Sequence, residues 1–324
     1  MRVTFKDVGS GDTIFLEWKH EGVEKYGIID CKLKNHKNPI LNQLKQLHVK
    51  EIEFIILSHP HYDHYSGLNS LLDYCENKGI TIKLFGYTSY TIPESLQMAV
   101  RGHIAKRDLE RLFQRMNALH IKGIIEEIGH ISSTTRVFIL SENLNLEILA
   151  PTTKDLNDYN SRKYRNLLDI KRNYSDANLL STFIRIYSDK WSYLLTSDTW
   201  EEIYKRFLQK KVLQGWGEVI FGQISHHGAN ENYFHHKFWK ALTRKKDSPT
   251  IISVGKNSYG HPSMKVINSL ENFGYKVFTT QILSSTTENI ENIDDLDLIS
   301  EVNSDDIGED VIIDIASDGK IEVL

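Results

Sequence analysis

Residues 54–67 constrain this chain more than any other stretch. They read Phe54-Ile55-Ile56-Leu57-Ser58-His59-Pro60-His61-Tyr62-Asp63-His64-Tyr65-Ser66-Gly67. Four apolar residues make a short buried strand, which Pro60 stops. Three histidines and an aspartate follow at the spacing H-x-H-x-D-H. In an extended segment residues two apart point the same way, so His59 and His61 can share one metal ion. Asp63 and His64 arrive as the chain turns into the helix that residues 67–72 begin, and can aim at a second ion. Imidazole nitrogens and a carboxylate oxygen suit zinc, with manganese or iron as alternatives.

Length and composition place this segment in an ordinary globular chain. With 324 residues a substantial core can be buried in one large domain or two ordinary ones. No window approaches the roughly 18 apolar residues of a membrane span. Only Cys31 and Cys75 are present, which argues against a disulfide framework and for a reducing compartment. The first residues read directly as a strand, with no signal-peptide core. The expected location is cytoplasmic, with no membrane partner. Residues 288–310 hold ten acids and no Lys or Arg, and residues 311–324 hold three acids and one Lys, leaving 38 bases against 30 acids, net +8, in residues 1–287. A mildly basic body suits anionic substrates and equally an ordinary solvated surface.

The metal-type segment resembles the signature of the metallo-β-lactamase superfamily, whose members share a four-layer αββα sandwich of the α/β class. Other stretches extend the resemblance in the same order along the chain. The opening, from Val8-Gly9-Ser10-Gly11-Asp12 to Ile28-Ile29-Asp30, is similar to the V-G-x-G-D … L-I-D start of the competence-type branch, which includes the soluble domain of DNA-uptake channels. By that resemblance Asp30 sits beneath the metals and orients a ligand histidine. By itself it also reads as a strand-end turn former.

Two apolar strands at 179–186 and 191–195 end in Ser197-Asp198, similar to the branch's paired strands closing on T-G-D. Asp198 then matches the carboxylate that bridges both metals. Asn178 falls where hydroxyacylglutathione hydrolases and tRNA-processing endonucleases place a third histidine for the first metal, a departure that leaves that metal more open. Ser225-His226-His227-Gly228 resembles an H-H-G unit found in the same branch and in phosphorylcholine esterases. It assigns His227 to the second metal and His226 to the substrate oxyanion, or the reverse. Lys256-Asn257-Ser258-Tyr259-Gly260-His261-Pro262 matches the branch's N-x-Y-G-H-P signature, with Gly260 and Pro262 holding the backbone around His261.

The resemblance implies one domain over residues 1–324, with insertions at about 87–135, 152–177 and 284–309. The first insertion includes a helix through 106–120 bearing Lys106, Arg107, Arg111 and Arg115. It could floor a substrate cleft or be a solvated surface helix. Residues 152–177 read as a polar loop or lid. His235 and His236 read as exposed starters of a helix.

The expected cofactors are two divalent ions, Zn²⁺ or alternatively Mn²⁺, held by His59, His61, Asp63, His64, Asp198 and His227. The expected reaction is attack on a phosphodiester by a hydroxide between the ions. Asp63, His226 and His261 are the candidate catalytic groups. A phosphodiester is the favoured substrate, and the helical insertions and basic body tilt the reading modestly toward a nuclease acting on DNA or RNA. A lactone, thioester or other small ester hydrolase would use the same site, and a non-catalytic binding or sensor module is the reading outside enzymes.

Overall fold

The apolar run ahead of the histidines is the second half of a seven-residue strand, Glu51–Leu57, and its two faces enter different cores. Phe54 and Ile56 point into the space between two sheets. Ile55 and Leu57 point outward against helices, as alternate positions of a strand must. A strand covered on both faces needs an unbroken apolar run, and residues 54–57 supply one.

In the computed structural model, residues 1–88, 100–165, 177–210, 212–229, 233–255, 260–281 and 308–324 are described. The strands of the first sheet are β1 (Arg2–Phe5), β2 (Ile14–His20), β3 (Val23–Ile29), β4 (Glu51–Leu57), β5 (Thr81–Tyr87) and β6 (Ile125–His130). Those of the second are β7 (Phe138–Ser141), β8 (Leu144–Ala150), β9 (Phe183–Tyr187), β10 (Trp191–Leu195), β11 (Glu218–Gln223), β12 (Ser248–Ile252) and β13 (Tyr275–Thr279). The terminal hairpin β14 (Val311–Ile315) and β15 (Ile321–Val323) returns to the first sheet, beside β1. The sheets run β15-β14-β1-β2-β3-β4-β5-β6 and β13-β12-β11-β10-β9-β8-β7.

The helices are α1 (Ile40–Gln46), α2 (Tyr62–Tyr65), α3 (Leu68–Lys78), α4 (His103–Ile121), α5 (Thr153–Arg165), α6 (Glu201–Lys210), α7 (Tyr233–Ala241) and α8 (Met264–Asn272). Leu44, Leu72, Leu109 and Phe113 cover the outer face of the first sheet. Phe5, Leu16, Phe54, Tyr193 and Phe221 fill the space between the sheets. Ile203, Phe238, Trp239 and Leu270 cover the outer face of the second sheet. The architecture is the expected α/β sandwich of four layers, αββα. Three separate apolar interfaces hold it, each built from side chains worth about 1.5–3 kcal/mol when fully buried. Cys31 and Cys75 are both buried and free, and burial pushes both thiols up to about 12. No helix among the described residues is long and apolar enough to cross a membrane.

Two local expectations change. Residues 153–165 are helical rather than loop or lid. The Thr152 N–H donates to the Asp155 carboxylate at 2.7 Å and the Asp155 N–H to the Thr152 hydroxyl at 3.3 Å. That reciprocal pair caps the start of α5. Arg206 of α6 then grips Asp155 with two N–H groups, at 2.8 and 2.9 Å. Residues 166–176, the start of the first insertion at 89–99, residues 256–259 and the acidic stretch at 282–307 lie outside the described residues.

His235 is the second change, because it is buried rather than exposed. It accepts a hydrogen bond from Trp239 Nε1 at 2.9 Å, and burial, aided by neighbouring His236, drops it to about 3. The folded protein therefore keeps His235 neutral while the unfolded chain protonates it near the ordinary value of 6.5. Its contribution to stability is complete above about pH 6.5 and is lost as pH falls toward 3, at about 1.4 kcal/mol per pH unit. His235→Gln keeps an acceptor for Trp239 and removes the titration. Urea unfolding from pH 7 to 5 should show the wild-type advantage over this variant shrinking as pH falls. A constant difference would contradict the burial argument.

Candidate metal centre

The site lies where β3, β4, β10 and β11 end. β3 and β4 pair in parallel, Ile29 beside Ile56, so the residues after both strands emerge together. Asp30 leaves β3 in a left-handed conformation, φ 58°, held by its N–H to the Ile56 carbonyl at 2.8 Å. Its carboxylate accepts from the Ser58 N–H at 2.7 Å, the Ser58 hydroxyl at 2.6 Å and His64 Nδ1 at 2.7 Å. Asp30 therefore lies directly against the His64 ring.

Three histidines have their Nδ1 protons committed, which turns Nε2 inward. His64 Nδ1 donates to Asp30. His227 Nδ1 donates to the Ser253 carbonyl at 2.8 Å. His59 Nδ1 lies 3.1 Å from Ser58 Oγ, whose own proton goes to Asp30. Facing these nitrogens are Asp63 and Asp198. Asp198 Oδ2 stands 3.6 Å from His59 Nε2 and 3.7 Å from His64 Nε2. Its Oδ1 stands 3.7 Å from His227 Nε2. Asp63 Oδ2 lies 3.3 Å from His227 Nε2 and 3.9 Å from His64 Nε2.

Those spacings discriminate between readings. Ligands about 2.1 Å from a tetrahedral ion stand about 3.4 Å from one another, close to the five separations above, four of which are longer than a hydrogen bond. Two triads result, His59-His64-Asp198 and Asp63-His64-His227. Asp12, Asp30 and His64 form a third group of metal-type residues, but its 2.7 Å contact is an ordinary hydrogen bond.

The electrostatics agree. Burial alone would lower His64, yet Asp30, Asp63 and Asp198 raise it well above the usual imidazole range. Burial likewise opposes charge on His227, and Asp198 and Asp63 overcome it to lift it to about 9. Asp198 is held well below the carboxylate range: burial pushes it up, and His227, His226 and His64 outweigh that. The carboxylates thus favour positive charge among buried side chains, and a divalent cation meets that demand. His64 Nε2, His227 Nε2 and Asp198 Oδ1 are buried without a hydrogen-bond partner. Orphaned polar atoms of this kind cost stability unless something binds them, so the donor set fits a metal.

His61 reaches the group through His59, with Nδ1 2.9 Å from His59 Nε2. His226 and His261 stand at the rim, half-buried, their rings 5.7 Å apart. The His226 ring is 6.4 Å from that of His227, and it is the His227 ring that lies between Asp63 and Asp198. Both histidines take left-handed φ values, 52° and 51°, which non-glycine residues adopt at a cost of about 1–3 kcal/mol. Gly228 has φ 74°, and a Cβ there would come within 2.7 Å of Pro262. The His261 loop is therefore docked on the His226-His227 turn. Asn178 is buried in the 3₁₀ turn Ala177–Leu180, with Oδ1 lacking a hydrogen-bond partner.

Sequence reading missed the supports behind these groups. Ser58, Ser197, Gln223 and Ser253 carry no metal-type signal. Asp12 was legible only as the acid that ends the opening V-G-x-G-D pattern.

Residues 9–101 match the family model for the Metallo-beta-lactamase superfamily. A curated relative from Methanocaldococcus jannaschii, 7,8-dihydropterin-6-methyl-4-(beta-D-ribofuranosyl)-aminobenzene-5'-phosphate synthase, is 32% identical over 108 residues. That match covers 32% of this chain and 36% of the relative, so only about a third of that protein's length is spanned. Among solved structures, a diphosphatase of the PhnP family aligns at TM-score 0.42 and 13% identity, covering 86% of this chain and 94% of the other. Zn²⁺-bound PqqB of Methylobacterium extorquens aligns at TM-score 0.45 and 11% identity, covering 86% and 98%. The metallo-beta-lactamase fold protein YhfI of Bacillus subtilis aligns at TM-score 0.46 and 9% identity, covering 86% and 95%.

Proposed function

We propose that this chain, whose residues 9–101 match the Metallo-beta-lactamase superfamily model, is a metal-dependent hydrolase acting on phosphodiesters. The observation that carries this reading is the pair of ligand triads meeting at His64 and flanked by Asp198. His59, His61 and Asp198 would hold one divalent ion, Zn²⁺ or Mn²⁺, and Asp63, His64, Asp198 and His227 the other. Such ions supply Lewis acidity and lower the pKa of bound water.

The chain's own groups supply the rest. Asp30 and the Ser253 carbonyl hold His64 and His227 in one tautomer and one orientation. Asp63, 30% exposed on its side chain, is open enough to accept a hydrogen bond from an attacking water and orient it. The rings of His226 and His261 lie 5.7 Å apart. His226 would donate to the phosphoryl oxygen that gains charge, and His261 would protonate the leaving oxygen.

A small phosphodiester is favoured over a polynucleotide. Three of the four basic residues named on α4 are engaged with carboxylates: Arg115 with Asp73 at 2.8 Å and with Glu76, Arg111 with Asp73 at 3.6 Å, Arg107 with Asp108 at 4.0 Å. The helix thus presents a mixed surface rather than the basic stripe a nucleic acid needs.

Turnover of bis-(p-nitrophenyl) phosphate tests the proposal. Turnover should require a divalent ion, stop on chelation and resume on adding Zn²⁺ or Mn²⁺. Alanine at Lys106, Arg107, Arg111 and Arg115 together should leave it unchanged. Nucleic-acid cleavage that falls in this variant, with a flatter salt dependence of binding, would favour the nuclease reading. Turnover of lactones or thioesters without any phosphodiester turnover would overturn the proposal. Failure on every substrate by metal-loaded protein would favour a binding or sensor module.

A further inference from the structure

Asp12 sits deeper than any turn residue needs to. It is 1% exposed, and its groups reach both sheets. Its N–H donates to the carbonyl of Asp63 at 3.1 Å. Its Oδ2 accepts from Gln223 Nε2 at 2.8 Å and stands 3.9 Å from His64 Nδ1. Oδ1 is buried without a hydrogen-bond partner. Gln223 closes β11, and its Oε1 accepts the N–H groups of Thr196 and Ser197 at 3.0 and 3.1 Å. Its carbonyl accepts the Thr196 hydroxyl at 2.8 Å. The next residue is Asp198, and Ser197 is itself held at φ 44°.

The turn that carries Asp12 is clamped on both sides. A Cβ on Gly11 would run into the Asp63 carbonyl oxygen, and one on Gly255 into the main chain of Gly9 and Ser10. With Gln223 Oε1 committed to two donors, its Nε2 must donate, and Asp12 must accept. A carboxylate, which only accepts, satisfies this without presenting an N–H to His64, whose own Nδ1 proton is already given to Asp30.

We propose that Asp12 is a positioning residue that locks the Asp63 loop of one sheet to the Asp198 loop of the other and so sets the spacing of the metal ligands. The contact of Asp12 with His64 is not a third metal site, because His64 Nδ1 is spent on Asp30 at 2.7 Å. The inference rests on the metal-centre reading above, and its test separates the two.

Apo-protein is titrated with Co²⁺ while its visible absorption, which reports coordination geometry, and its thermal melting are followed. Wild type, Asp12→Ala, Asp12→Asn, Gln223→Leu and the Asp12→Asn/Gln223→Leu pair are compared. Asp12→Ala and Gln223→Leu should weaken Co²⁺ binding about 10- to 100-fold, the range for partners that stand behind ligands, and shift the visible bands. Asp12→Asn preserves volume and one acceptor, keeps the fold, and should weaken binding less than Asp12→Ala. The pair should be no worse than Gln223→Leu alone, because both residues act through one chain of hydrogen bonds. Wild-type affinity and bands in Asp12→Asn and Gln223→Leu, with only a lower melting temperature, would overturn the proposal and leave the metal centre standing. Failure of wild type to take up Co²⁺ would overturn the metal centre and this inference with it.

Discussion

Asp198→Ala is expected to abolish phosphodiester hydrolysis while leaving the sandwich folded. Its two oxygens point to opposite sides of the centre, Oδ2 toward His59 and His64 and Oδ1 toward His227. Removing them withdraws a carboxylate from three imidazoles at once. Loss of a partner behind a ligand typically costs 10- to 100-fold, so loss of a carboxylate facing both triads should exceed roughly 100-fold. The fold should survive because Asp198 follows β10 rather than forming it. Leu194 and Leu195, just upstream, are buried in the two cores that flank the second sheet. Steady-state turnover of bis-(p-nitrophenyl) phosphate beside far-ultraviolet circular dichroism checks both halves. Full activity in a folded variant would mean that Asp198 is a turn residue.

Asp30→Ala should cost more in stability than any exchange at the rim. It strands three buried donors, the Ser58 N–H, the Ser58 hydroxyl and His64 Nδ1. Each buried group left unsatisfied costs about 1–3 kcal/mol, so a loss of about 3 kcal/mol or more is expected from urea unfolding. The backbone adds to this, because φ 58° at Asp30 is a conformation that Asp and Asn tolerate better than Ala. Asp30→Asn should therefore recover much of the stability. It should not recover all of the activity, since an amide can donate as well as accept and no longer fixes which nitrogen of His64 carries the proton. Equal stability of the alanine variant and wild type would show that this hydrogen-bond network contributes nothing.

The features legible in sequence are those encoded locally. H-x-H-x-D-H is a short-range pattern, and the apolar runs that precede His59, Asp198 and His226 announce strands ending at the site. Faces of a strand alternate by necessity, so runs such as 54–57 imply cover on both sides, while the four-layer sandwich was implied by the resemblance alone. Contacts between distant segments were not legible. Asp12 looks the same in sequence whether it caps a hairpin in solvent or is buried against Gln223, and only the packing of two sheets decides. Thr152 and Asp155 carry a helix-start pattern within a polar stretch, and Arg206, which secures it, lies far along the chain. The pairing of Arg111 and Arg115 of α4 was not legible because Asp73 and Glu76, which engage them, belong to α3. His235 looked like a helix starter because nothing nearby reveals that Trp239 and Tyr204 close over it.

The number of metal ions per chain tests the central claim most directly. Protein purified with Zn²⁺ or Mn²⁺ supplementation and analysed for elemental content should hold two divalent ions per chain, one on each of the ligand sets proposed above, and Asp198→Ala should hold at most one. No metal in supplemented wild type, or two ions retained by Asp198→Ala, would contradict the account.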